Sequence, residues 1–219
     1  MASSWQEVAS FRAEIYRFLG HCLLEPIKED RVSLLQPDFW EKFPLAPANE
    51  TMAAALDKLA SVTAVLAALP RDAALEQVQL EYTELFLGIG ERQAPPWESL
   101  YRTPERLMFG PPAMQVREAM AAFGVEVAEK YRQPEDHLGL ELMLLAAVGE
   151  ADSARADWRD SARRQAAFID EHPLAWIAEL ERDATAHGST GFYGAVIGLI
   201  RGVLLWDREL LAEYAATDL

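Results

Sequence analysis

Apolar residues in this chain recur at intervals of three and four almost from end to end, a period that admits helices and little else. Val8, Phe11, Ile15, Phe18 and Cys22 share one helix face, and Leu75, Val78, Tyr82 and Leu85 another. Leu138, Leu142, Leu145 and Val148 make a third stripe, and Phe192, Val196, Leu199, Val203 and Trp206 a fourth. Alternating apolar and polar runs of strand length are absent. Ala, Leu and Glu recur throughout while aromatics make up only 10%, which favours helix over sheet. Ser3 or Ser4 can cap the first helix, with Glu7 completing a capping box. Further helices are expected over 51–69, stopped by Pro70; from Asp72 to a glycine cap at Gly88; over 113–130, broken near Gly124; and over 134–150, 152–171 and 174–187. The stretch 23–47 is a connection broken by four prolines, pinned to the core by Phe39 and Trp40. The expected fold is all-α, a single globular domain over 1–219 of about eight to ten helices, with room for two lobes sharing one core.

A chain of 219 residues that is 51% hydrophobic can bury a sizeable core. Twenty Lys and Arg stand against 35 Asp and Glu, a net charge of −15. Such a surface repels nucleic-acid phosphates and anionic membranes; it either attracts a cationic partner or simply stays solvated. One cysteine, Cys22, excludes an internal disulfide and fits a reducing compartment. The N-terminal stretch has neither a basic region nor an apolar core of a signal peptide. The most apolar run, 191–205, is interrupted by Arg201 and is too short to span a bilayer. A cytoplasmic location is expected.

Catalytic and metal chemistry find little support. Of His21, His137, His172 and His187, only His137 has a carboxylate at ligand spacing, Glu141, and no second histidine or cysteine joins them. There is no nucleophile motif, and Cys22 lies on an apolar stripe. Gly88-Ile89-Gly90 follows a helix and lacks the third glycine and the lysine of a phosphate loop, so a nucleotide hydrolase is the weaker alternative. No catalytic residue, metal or cofactor is expected.

Two segments stand apart. Residues 88–112 carry five prolines and three glycines, and irregular stretches of that length are often functional. Within them Pro95-Pro96 holds an extended backbone that fixes the direction of Trp97. The plain alternative is that Trp97 and Tyr101 plug the core. The second segment, 131–142, reads as a helix start, with Pro134 at the first position, acids in the first turn and His137 incidental.

Together these segments resemble the signature of the TorD/DmsD family of redox-enzyme maturation chaperones. That family carries Y-x-x-L-F-x-G, then P-P-W-E-S-x-Y, then E-P-D-D-H-x-G-x-E-L. Here they stand as Tyr82 to Gly88, Pro95 to Tyr101 and Gln133 to Leu142. Phe168 to Trp176 and the pair Phe192-Tyr193 extend the likeness. The resemblance implies a cytoplasmic, all-helical chaperone without a prosthetic group. It implies binding of the twin-arginine leader of a molybdenum oxidoreductase of the dimethyl-sulfoxide-reductase type, and of its apo form, with export held back until the cofactor is loaded. The residues it marks for leader binding are Leu85, Phe86, Pro96, Trp97, Ser99, Tyr101, Gln133, Pro134, Asp136 and His137. Gln133 replaces the family glutamate, so Glu135, Asp136 or another acid is left to meet a leader arginine. The alternative within the family is a NarJ-like factor that assembles a non-exported enzyme. A monomer is expected, with domain exchange through 124–134 as its route to a dimer.

Overall fold

The computed structural model describes residues 4–88, 93–128, 131, 133–154 and 158–216. Ten helices run along them: α1 (Trp5–Leu24), α2 (Pro37–Glu41), α3 (Glu50–Ala67), α4 (Arg71–Tyr82), α5 (Ser99–Arg102), α6 (Pro111–Phe123), α7 (Leu138–Asp152), α8 (Trp158–Glu171), α9 (Pro173–His187) and α10 (Phe192–Ala216). Among the described residues there is no strand, only an isolated antiparallel bridge between Trp97 and His137. The all-α expectation holds. No described helix is long and apolar enough to cross a membrane.

The chain packs as two compact units: Met1–Leu24, Pro96–Trp176 and Leu204–Leu219 form the first, and Glu25–Pro95 with Ile177–Val203 the second. In the first unit α1 begins on the capping box its sequence encodes. The Ser4 amide donates to the Glu7 carboxylate at 3.0 Å, and the Glu7 amide to the Ser4 hydroxyl at 3.4 Å. α7 is apolar on nearly every side, so it must be covered all round. α1 covers one side, and the two helices approach closely where Gly20 faces Gly139. A Cβ on Gly139 would lie 2.7 Å from Leu24 Cγ and 3.0 Å from the Gly20 carbonyl. One polar knot sits in this core. The fully buried Arg12 pairs with Asp207 and donates to Gln165 at 2.9 Å, while Tyr16 donates to Asp207 at 2.7 Å. Trp5 stacks on Trp158, ring centres 4.4 Å apart.

In the second unit Asn49 caps α3, its side chain accepting from the Met52 amide at 2.8 Å. The connection expected over 23–47 is more regular than its prolines imply. It contains a 3-10 stretch, Glu29–Leu35, and α2, which Pro37 can start because its missing amide is not needed there. Trp40 pins it as expected, donating to the Leu34 carbonyl at 2.8 Å and meeting Phe192 edge-on. α4 runs into a single π turn, Thr83–Leu87, closed by Gly88 at φ +48. Glu81, fully buried, accepts from the amides of Gly191 (3.1 Å) and Tyr193 (3.0 Å) and from Thr190. The first turn of α10 thus has its anion supplied from within the chain.

Two boundaries differ from the sequence expectation. α6 stops at Phe123 because Gly124, at φ +73, closes it in the left-handed conformation. α7 starts at Leu138 rather than at Pro134. The Asp136 carbonyl accepts from the Glu98 amide and the Leu138 amide donates to the Pro96 carbonyl, both at 2.9 Å. Those bonds hold His137 extended and postpone the helix to Leu138.

Candidate functional site

The second and third motif segments meet in the first unit, in a junction built on that bridge. Pro96 holds the extended backbone that pairs with Leu138, and the Trp97 ring meets the His137 ring edge-on at 5.3 Å. His137 is not incidental. It is the N-cap of α7, its Nδ1 accepting from the Gly139 amide at 3.0 Å. That bond requires a neutral ring, and burial pushes the His137 pKa down to about 3. The expected start with Pro134 at the first helical position is therefore corrected to an imidazole cap.

Asp136 plays the matching part for the other strand of the bridge. Its carboxylate accepts from the Ser99 amide at 2.8 Å and from the Ser99 hydroxyl, which fixes the start of α5. Burial raises the Asp136 carboxyl above its ordinary value, against the pull of both Ser99 bonds. Its second oxygen is buried without a hydrogen-bond partner.

Behind Asp136 lie two more fully buried carboxyl groups, Glu98 and Glu141. Glu98 pairs with Arg102 on one oxygen and with His172 Nδ1 at 2.9 Å on the other. Arg102 also donates to the Glu171 carbonyl at 2.6 Å. Glu141 makes no hydrogen bond of good geometry, although Glu98 and the Trp176 indole lie alongside it. Burial first, then the charges of Glu98 and Asp136, push its carboxyl well above the usual range, which favours its protonated form. Of the three buried acids, Glu98 takes both the arginine and the histidine. No described group of histidines, cysteines and acids is arranged to hold a metal ion.

The ten residues marked by the motifs divide as follows. Pro96, Trp97, Ser99, Pro134, Asp136 and His137 are buried together at the junction, and Tyr101 and Gln133 are half-exposed. The Tyr101 ring lies 5.3 Å from Trp176. Leu85 and Phe86 belong to the second unit, in the π turn, where Phe86 packs edge-on against Tyr82 and Tyr193. Of the acids left to replace a glutamate at 133, Glu135 is committed to Arg117 by two bonds of 2.7 and 3.0 Å. Sequence reasoning weighed Glu141 only as a ligand partner for His137, and placed neither it nor Glu98 or His172 in the site. Glu141 is the lone charge in the apolar run 138–148, a signal that was there to be used; nothing near His172 points to Glu98. The weak phosphate-loop fragment falls largely outside the described residues, at Ile89 and Gly90.

The chain is similar to proteins named Chaperone protein TorD. The one from a Psychrobacter species is 24% identical, covering 99% of both chains. That of Vibrio cholerae is 29% identical over 92% of both, and that of Vibrio vulnificus 26% identical over 94% of this chain and 98% of its own. The family model described as the nitrate reductase delta subunit matches residues 45–182. That is well over half of the chain, it includes all three motif segments, and the chain belongs to this family.

Proposed function

We propose that this protein is a cytoplasmic maturation chaperone for a molybdenum-cofactor oxidoreductase. It binds the twin-arginine leader of the catalytic subunit in its apo form and holds back export until the cofactor is in place. The relatives' names support the chaperone reading. The observation that carries leader binding is the junction itself: three buried carboxyl groups, two with unpartnered oxygens, at the family's motif residues. A buried acid in that state favours an added cation. The charge of −15 draws a basic leader in, while the leader's apolar run supplies most of the affinity. Each buried Leu or Phe contributes ~1.5–3 kcal/mol, against ~0–1 for an exposed ion pair. A second reading, a NarJ-like assembly factor for a non-exported enzyme, is favoured by the family's description as the nitrate reductase delta subunit.

Calorimetric titration tests the leader reading. Asp136→Asn keeps an acceptor for Ser99 and removes the charge. Affinity for an Arg-Arg leader is expected to fall about tenfold, and affinity for its Gln-Gln variant to fall less. Equal affinities, with only the melting temperature moving, would return Asp136 to a purely structural role.

A further inference from the structure

The junction residues are buried, so a client must meet the surface they support. In the first unit that surface carries an anomaly. Six large apolar side chains are strongly exposed among the described residues, and three lie within eight positions: Leu107 (63%), Phe109 (70%) and Met114 (60%). Phe109 is held at φ +62 and Arg106 at φ +49, a left-handed conformation that L-residues adopt rarely. An exposed aromatic kept in strained backbone is a recurrent mark of a functional segment.

The patch is joined to the junction. Gly110, next to Phe109, sits against α5: a Cβ there would lie 3.0 Å from Thr103 and 3.4 Å from the Ser99 hydroxyl that Asp136 holds. Arg106 is tied back to the Leu100 carbonyl at 3.1 Å, and its guanidinium lies 5.9 Å above the Tyr101 ring.

Charge decides the partner. The two arginines beside the patch are engaged, Arg106 as above and Arg117 with Glu135. Glu105 and Glu118 are exposed and make no ion pair among the described residues, and Glu118 lies one turn from Met114 on the same face of α6. The apolar patch therefore has an acidic rim. A second copy of this chain would set like charges against each other there.

We infer that Leu107, Phe109 and Met114 form the docking surface for the apolar run of a client segment whose adjoining arginines meet Glu105 and Glu118. This rests on the leader-binding reading above, and adds the contact surface to it.

The test titrates the full-length chain into a fluorescent synthetic peptide in which Arg-Arg precedes a run of Leu, Phe and Ala, read by anisotropy. Phe109→Gly is expected to weaken binding about tenfold or more, with no fall in melting temperature, because glycine accepts φ +62 without strain. Leu107→Ser and Met114→Ser, which leave the backbone alone, give the same loss. Glu105→Lys with Glu118→Lys weakens the Arg-Arg peptide and leaves a Gln-Gln peptide unchanged. If the unaltered protein binds the peptide and the patch variants bind it equally well, the leader docks elsewhere: the inference falls and the leader reading stands. If the unaltered protein binds neither peptide, both fall. Patch variants that change only the mass measured by light scattering would assign the patch to a second copy and overturn the inference.

Discussion

At position 137 a neutral imidazole does what a serine or aspartate usually does at the start of a helix, and its neutrality has a measurable consequence. Folded His137 titrates near pH 3, whereas an unfolded histidine titrates near 6.5. Between those values the unfolded chain binds the extra proton. The contribution of His137 is thus fully present above about pH 6.5 and is lost as pH falls toward 3. His137→Gln should flatten the acid side of the stability profile by as much as ~1.4 kcal/mol per pH unit, measured by urea unfolding between pH 4 and 7. An unchanged slope would mean the imidazole is charged in the fold. Glu141 acts in the opposite sense. Its folded pKa is raised, so the folded chain holds a proton that the unfolded chain releases, and stability falls as pH rises above the ordinary carboxylate range. Glu141→Gln, isosteric and uncharged, should raise the melting temperature at pH 8 more than at pH 5. Equal shifts at both pH values would count against a protonated Glu141.

Helix-level features were mostly legible in the chain, and the exceptions share a cause. The stripes of α4, α7 and α10, the stop at Pro70 and the capping box of Ser4 and Glu7 are local, so periodicity and capping chemistry expose them. In α1 the helix was legible, but its buried face, through Trp5, Ala9, Arg12, Tyr16 and Leu19, lies beside the stripe of Val8, Phe11 and Phe18, which is half-buried. The start of α7 was not legible, because it is set by pairing with residues 96–98, some forty positions away in sequence. The same holds for the site: the motif residues were found, but the bond between His172 and Glu98 joins residues that no local pattern connects. The contact between α1 and α7 offers a test at this scale. Gly139→Ala puts a methyl group 2.7 Å from Leu24 and 3.0 Å from backbone at Gly20. It should destabilise the protein by ~1–3 kcal/mol, seen as a lower urea midpoint; an unchanged midpoint would mean the helices can separate without loss.

Over the whole molecule, the features that matter for function are charge, burial and one unusual exposure. The surplus of fifteen acids steers a basic segment toward the chain, and salt should slow that encounter. On the inference above, the exposed Glu105 and Glu118 meet the leader's arginines, beside the surface that the buried junction supports. The patch on 107–114 gives apolar residues somewhere to lie. Together these features fit the proposed binding of another polypeptide. The most direct test is to capture the tagged full-length chain from its native host and identify what comes with it by mass spectrometry and metal analysis. The account predicts the catalytic subunit of a molybdoenzyme, its twin-arginine leader uncut and its molybdenum content far below one atom per chain. Recovery of that subunit only in its loaded, leaderless form, or of no molybdoenzyme at all, would contradict it.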